Sequence, residues 1–242
     1  MPQQITEDTL FSGRLHCVQH ADGYRFSVDA VLLAHFIRPR PGAHILDLGA
    51  GCGVISLILS YRLPQVTITA LELQKQLAAL ISLNIERNHL HGRISLQQGD
   101  MRQMNALFPP ETFDSVVCNP PYGKLAMGRQ NPAAEQAVCR HESHAELADV
   151  IRAISYSLKN RGRAAIVYPA NRVAVLLAAL KAAALEPKRL QIIYSYPDSQ
   201  GKLVLVEAMK NGGEELVILP PFFIYDEPGG KYSREMARFY EP

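Results

Sequence analysis

Short apolar runs alternate along this chain with longer stretches in which apolar residues recur every three or four positions. Residues 43–48 form one such run, stopped by Gly49, and predict a buried strand. Residues 53–62 follow with Val54, Ile55, Leu57, Ile58 and Leu59 on a broad helical face. Residues 66–71, β-branched and apolar, predict a second strand. Residues 74–88 predict a helix, with Leu77, Leu80, Ile81, Leu83 and Ile85 at helical spacing. Residues 93–98 and 113–118 predict the third and fourth strands, and residues 145–159 a helix stopped near Gly162. Residues 164–168 predict the fifth strand, and residues 171–184 a helix capped at or just before Asn171. Residues 190–196 and 202–210 flank a Pro-Asp-Ser-Gln-Gly turn and predict a hairpin.

Strands separated by helices imply an α/β fold with helices on both faces of the sheet. The expected architecture is a Rossmann-like, doubly wound, seven-stranded, mostly parallel sheet, with one antiparallel strand near the edge supplied by the hairpin. There is no internal repeat. Residues 1–40 are expected as an N-terminal extension, with a helix at 28–37 ended by Pro39. Residues 41–211 are expected as the main domain, and residues 212–242, rich in proline and aromatics, as a tail packed on it.

Composition adds limits. The chain has 242 residues, 48% hydrophobic and 20% charged, enough to bury a core without staples. Cys17, Cys52, Cys118 and Cys139 form no CxxC pair, so reduced thiols in a cytoplasmic protein are expected, with no metal site. The polar start resembles no signal peptide, and no apolar stretch approaches the ~20 residues of a membrane span. A net charge of +2 neither announces nor excludes a nucleic-acid partner.

Candidate chemistry gathers at predicted strand ends. Asp47-Leu48-Gly49-Ala50-Gly51-Cys52-Gly53 leads from the first strand straight into a helix. Glycines there let the backbone approach a ligand, and the helix start supplies unpaired N–H groups. The spacing is GxGxG, unlike most dinucleotide sites, and no GK[ST] follows, so a P-loop is excluded. Glu72 ends the second strand about twenty residues on, where a doubly wound sheet places the acid that accepts from ribose hydroxyls. Asp100 and Met101 follow the third strand, suited to an adenine amino group and ring. Singly, each acid reads equally as a surface residue; together, at consecutive strand ends, they outline a nucleoside site. Asn119-Pro120-Pro121-Tyr122 ends the fourth strand. Prolines stiffen the turn. The Asn119 side-chain oxygen and Pro120 carbonyl can each accept an N–H from a planar amine, and Tyr122 can stack on a base. That geometry draws the amine lone pair toward an incoming methyl group, and positioning supplies the catalysis.

This set resembles the class I S-adenosylmethionine-dependent methyltransferases, and Asn-Pro-Pro-Tyr resembles their amino-group methylating branch. The resemblance covers roughly residues 24–210. It implies the class I methyltransferase fold, S-adenosylmethionine as cofactor and S-adenosylhomocysteine as product. It implies cofactor binding by Phe26, Asp29, Asp47, Gly49, Ala50, Gly51, Gly53, Glu72, Leu73, Asp100, Met101 and Asn119, and catalysis by Asn119, Pro120 and Tyr122. The segment Phe26-Ser27-Val28-Asp29-Ala30 and the triplet Arg140-His141-Glu142 are similar to those of the bacterial valine-tRNA adenine-N6 methyltransferases. Best-known members carry Thr-Asp-Gly where this chain has Val28-Asp29-Ala30, a departure that bears on the RNA substrate. Asp29 reads equally as the N-cap of its helix.

Residues 123–144 lack apolar periodicity and read as a substrate lid or a solvated loop. Tyr122, Lys124, Arg129, Arg140, His141 and Arg172 are the substrate-contact candidates, with Arg172 the first choice for a phosphate. Residues 152–189 carry eight basic residues against one acid, Glu186, and read as a flank facing a nucleic-acid backbone or as solvated helix faces. From residue 198 onward five basic residues meet eight acids. The expected function is N-methylation of the exocyclic amine of adenine in RNA, with tRNA near the anticodon as partner; the sequence is compatible with a monomer and does not fix the oligomeric state. The alternatives are a protein glutamine methyltransferase, a DNA adenine methyltransferase and an inactive nucleotide-binding module.

Overall fold

A computed structural model describes residues 4–21, 27–120 and 146–242. Strands β1 (Ile5–Leu10) and β2 (Leu15–His20) form an antiparallel hairpin. It was not expected from the sequence, because Thr6, Glu7, Asp8 and Thr9 dilute the strand pattern. Its turn holds Phe11, Ser12 and Gly13 at φ of 53, 54 and 84°, and the Ser-Gly pair was the available signal. Helix α1 (Val28–Phe36) follows with Ala30 to Ala34 and Phe36 buried, which makes it a core helix.

The main sheet is built from β3 (His44–Leu48), β4 (Thr67–Glu72), β5 (Ile94–Gln98), β6 (Phe113–Cys118), β7 (Leu158–Pro169), β8 (Leu185–Tyr194) and β9 (Gly201–Lys210). The tail adds β10 (Val217–Ile218) and β11 (Phe222–Phe223), both parallel to β8. The strand order is β10-β8-β9-β7-β6-β3-β4-β5, with β11 also on β8. β9 runs antiparallel to both β7 and β8, so the reversed strand is inserted one place in from β8 instead of forming the rim. The seven-stranded, mostly parallel α/β sheet expected from the sequence is thus present, with two short strands added.

Helices α2 (Val54–Arg62) and α3 (Lys75–Arg87) join α1 in one hydrophobic cluster with Ile45, Ile68, Val117, Val167 and Leu205. Helices α4 (Met104–Leu107), α5 (Leu147–Ser157) and α6 (Val173–Ala182) contribute to a second cluster with Leu46, Leu48, Leu71, Val116, Ile166 and Val206. Alternate strand residues enter the two clusters, which is why the central strands read as unbroken apolar runs. α5 ends two residues earlier than expected because Leu158 is already extended, and β7 begins there. Arg161 at φ 64° lets the chain kink and continue as strand. The last helix, α7 (Arg234–Ala237), is capped by Ser233, which accepts from the Met236 N–H. Its Met236 and the tail residues Phe222 and Ile224 are buried with the first cluster. Among the described residues no helix is long and apolar enough to cross a membrane.

Candidate active site

The parallel register places the ends of five strands side by side. Leu48 pairs with Leu71, Glu72 with Gln98, Asp47 with Val117, and Cys118 with Ile166. Neighbouring strands lie about 4.8 Å apart, so the loops after β3, β4, β5, β6 and β7 share one edge. This is the edge at which open α/β sheets bind ligands.

The loop after β3 turns on Gly49, Gly51 and Gly53 at φ of 75, 60 and 85°, a left-handed region costly for any residue with a Cβ. Gly49 N–H and Ala50 N–H both donate to Leu71 C=O, at 3.0 and 2.9 Å, which straps the turn to β4. Gly53 sits at the N-cap of α2, where a Cβ would stand 3.2 Å from Ile81. At Gly49 a Cβ would lie 3.4 Å from the Met101 methyl group, so Met101 packs over the turn.

Asp47 is fully buried. Its Oδ2 accepts from Ser56 N–H at 3.1 Å and Ser56 O–H at 2.7 Å, while Oδ1 is buried without a partner among the described residues. Burial is the main reason its carboxyl is pushed up to about 7; the Ser56 bonds oppose that and the Glu72 charge adds to it. Glu72, also buried, receives Gly51 N–H on one oxygen and Gln74 N–H on the other, each at 2.8 Å. Burial raises its carboxyl above the usual range against those bonds. A carboxylate has about four lone-pair sites, so beside these backbone donors Glu72 can still accept from a hydroxyl. Leu73 follows it, 38% exposed at the strand end.

Asp100 is held more firmly than its sequence position implied. Arg102 donates to it from the backbone at 2.9 Å and from the guanidinium at 2.6 Å, and this pairing holds the carboxyl below its usual range. Asp29 lies in the first turn of α1, whose N-cap is Ser27, so the reading of Asp29 as the cap is corrected. Burial raises its carboxyl, with the Ser27 hydrogen bond and the Lys202 charge opposing. Asn171 is likewise not a cap: it lies exposed within the 3-10 turn Ala170–Arg172, and Arg172 takes the N-cap position of α6. Arg172 stacks its guanidinium 5.3 Å from the Tyr168 ring at the end of β7, next to the strand that carries Asn119. Asn119 is half-buried and Pro120 buried at the end of β6. Phe26, Tyr122, Lys124, Arg129, Arg140, His141 and Cys139 lie outside the described residues.

The basic flank does not survive as one surface. Arg152 pairs with Asp149, Lys159 with Asp114, Lys181 with Glu186, and both Arg163 and Arg189 with the buried Glu207. Lys159 and Arg161 open β7 while Arg172 follows its end, so they stand at opposite edges of the sheet. Ser56 and Tyr168, which hold Asp47 and face Arg172, carried no motif by which the sequence could single them out.

A buried carboxylate with one vacant oxygen, an acid with spare hydroxyl-accepting lone pairs, a methionine over a glycine turn and a helix start together fit a ligand carrying an ammonium, a ribose and an adenine. Known proteins agree. A Porphyromonas gingivalis tRNA1(Val) (adenine(37)-N6)-methyltransferase is 28% identical over 227 residues, covering 90% of this chain and 88% of that protein. The Shewanella frigidimarina protein of the same name is 31% identical over 185 residues, covering 74% of this chain and 73% of its own. In the solved structures, Agrobacterium tumefaciens protein Atu636, a predicted O-methyltransferase, superposes with a TM-score of 0.71 at 23% identity, covering 88% of this chain and 95% of that one, which shows the shared fold. The sequence profile of the methyltransferase small domain matches residues 26–170, the stretch that runs from the start of α1 through the glycine turn and Asn119 to the end of β7, and the chain belongs to that family.

Proposed function

We propose that this protein is an S-adenosylmethionine-dependent methyltransferase acting on the exocyclic amine of adenine in tRNA. One observation carries the reading: β3 and β6 are adjacent, so the glycine turn and Asn119-Pro120 stand next to each other on one sheet edge. The names of the relatives at 28% and 31% identity support tRNA as the substrate.

Bound S-adenosylmethionine supplies an electrophilic methyl group. Glu72 and Asp100 would hold its hydroxyl and amino groups, Met101 would lie over the turn, and the unpartnered Asp47 oxygen would serve its cationic end. Asn119 Oδ1 and the Pro120 carbonyl accept the two N–H groups of the adenine amine. Two acceptors in the plane of the ring would turn the nitrogen lone pair out of conjugation toward the methyl donor. Pro120 fixes φ, which makes the acceptor pair rigid and avoids reorganisation during the reaction. An adenine in a tRNA loop reaches this edge once unstacked, at a cost of a few kcal/mol. Arg172, over Tyr168 at the end of β7, is the side chain proposed for a neighbouring phosphate.

Nucleoside mass spectrometry of unmodified tRNA incubated with enzyme and cofactor is the test. N6-methyladenosine is expected, and Asn119→Ala lowers its rate of formation on the order of a hundredfold or more, the usual effect of losing one electrostatic contact to the reacting group. A different methylated base, or methyl transfer to protein glutamine alone, overturns the substrate assignment.

A further inference from the structure

β1 covers one edge of β2, and among the described residues the other edge meets no strand. Two asparagines four residues apart, Asn84 on α3 and Asn88 at its C-cap, close it instead. Asn88 accepts His16 N–H at 2.8 Å and donates to His16 C=O at 2.7 Å. Asn84 accepts Val18 N–H at 2.7 Å and donates to Val18 C=O at 3.0 Å. Each carboxamide thereby does for β2 what a residue of a neighbouring strand would do.

The two asparagines differ in where the second amide hydrogen goes. Asn88 returns it to its own helix, to Asn84 C=O at 2.8 Å. Asn84 directs it to Cys52 C=O at 2.9 Å, inside the glycine turn. The Cys52–Gly53 peptide is then gripped at both ends, because Gly53 N–H donates to Ala50 C=O at 2.8 Å. Asn84 is buried at 1% exposure and uses both its donors and an acceptor. Aspartate lacks the donors, and glutamine is one methylene too long for the same three contacts.

We propose that Asn84 is a positioning residue that couples the N-terminal hairpin to the cofactor turn, so that hairpin docking and cofactor affinity form one linked equilibrium. The proposal rests on the reading that the glycine turn holds the cofactor. By linkage, what tightens one partner tightens the other by the same factor. The hairpin then belongs to the working site although it offers the cofactor no side chain.

Calorimetric binding of S-adenosylhomocysteine to the full chain separates the possibilities. Asn88→Ala removes two hairpin hydrogen bonds, as Asn84→Ala does, and is expected to keep the affinity within about twofold. Asn84→Ala weakens it about tenfold, the effect of freeing one buried polar contact, and Asn84→Asp weakens it at least as much because a carboxylate then faces two carbonyls. At saturating cofactor kcat stays near that of the parent. Hydrogen exchange on the parent protein is independent of any variant's folding: the Val18 amide slows when the ligand saturates. Equal affinities for the two alanine variants, or a Val18 amide indifferent to ligand, overturns the coupling. A parent protein that fails to bind the ligand overturns the cofactor reading itself.

Discussion

Asp47 closes the first strand of the sheet with one oxygen bonded to Ser56 and one buried without a partner among the described residues. Its carboxyl is raised from 3.8 to about 7, chiefly by burial. Across that window the unfolded chain has released the proton while the folded chain retains it. The folded state therefore loses stability from Asp47 as pH rises from about 4 to 7, and the loss is constant above that. Asp47→Asn removes this contribution. In ligand-free protein, the melting temperature of the variant should decline less than that of the parent between pH 4.5 and 7.5. A cation beside the vacant oxygen favours the ionised form, so the same substitution should weaken S-adenosylhomocysteine binding at pH 8. Equal pH slopes for parent and variant would show that Asp47 is ionised throughout.

The glycine turn distinguishes two costs that usually come together. Gly51 and Gly53 both have positive φ, yet a Cβ at Gly51 meets nothing within 4 Å, whereas at Gly53 it meets Ile81 at 3.2 Å. Gly51→Ala pays only the left-handed conformation, about 1–2 kcal/mol. Gly53→Ala pays that and the contact with α3, so its urea midpoint should fall further, and in an Ile81→Ala background the two glycine substitutions should lower the midpoint by nearly equal amounts. This turn was legible in the sequence because strand, glycines and helix are contiguous there. The hairpin β1–β2 was not, since acidic and threonine positions mask its alternation, and β10 and β11 are only two residues long. The asparagine contacts were unreadable for another reason: Asn84 and Val18 are 66 positions apart, and a side-chain amide announces nothing about so distant a partner. At the site, Glu72 and the turn fell where expected, while the grip of Arg102 on Asp100 and the start of α1 after Ser27 depend on local geometry that spacing alone does not specify.

For the whole molecule, charge counted along the sequence gave a misleading picture of the surface. The acids that neutralise the basic stretch, Asp114, Asp149 and Glu207, come from outside it and meet it only in the folded chain. What remains at the site edge is Arg172 over Tyr168. Arg172→Ala should weaken tRNA binding and lower the slope of log affinity against log salt by about 1, the loss of one phosphate contact. Lys159→Ala, at the far edge and paired with Asp114, should leave both unchanged. Filter binding across a salt series reads both outcomes, and a large effect from Lys159→Ala would move the RNA to the opposite edge.

His35 on α1 stacks on Phe239 with ring centroids 4.0 Å apart, and burial lowers the imidazole to about 3, so the pair is neutral at any physiological pH. These two residues lie some two hundred positions apart, and α1 is buried along most of its length. During translation at about 5–20 residues per second, α1 is made on the order of ten to forty seconds before the residues that finish covering it. For that interval α1 can pack on α2, but the face that meets the C-terminal tail stays uncovered until synthesis is nearly complete.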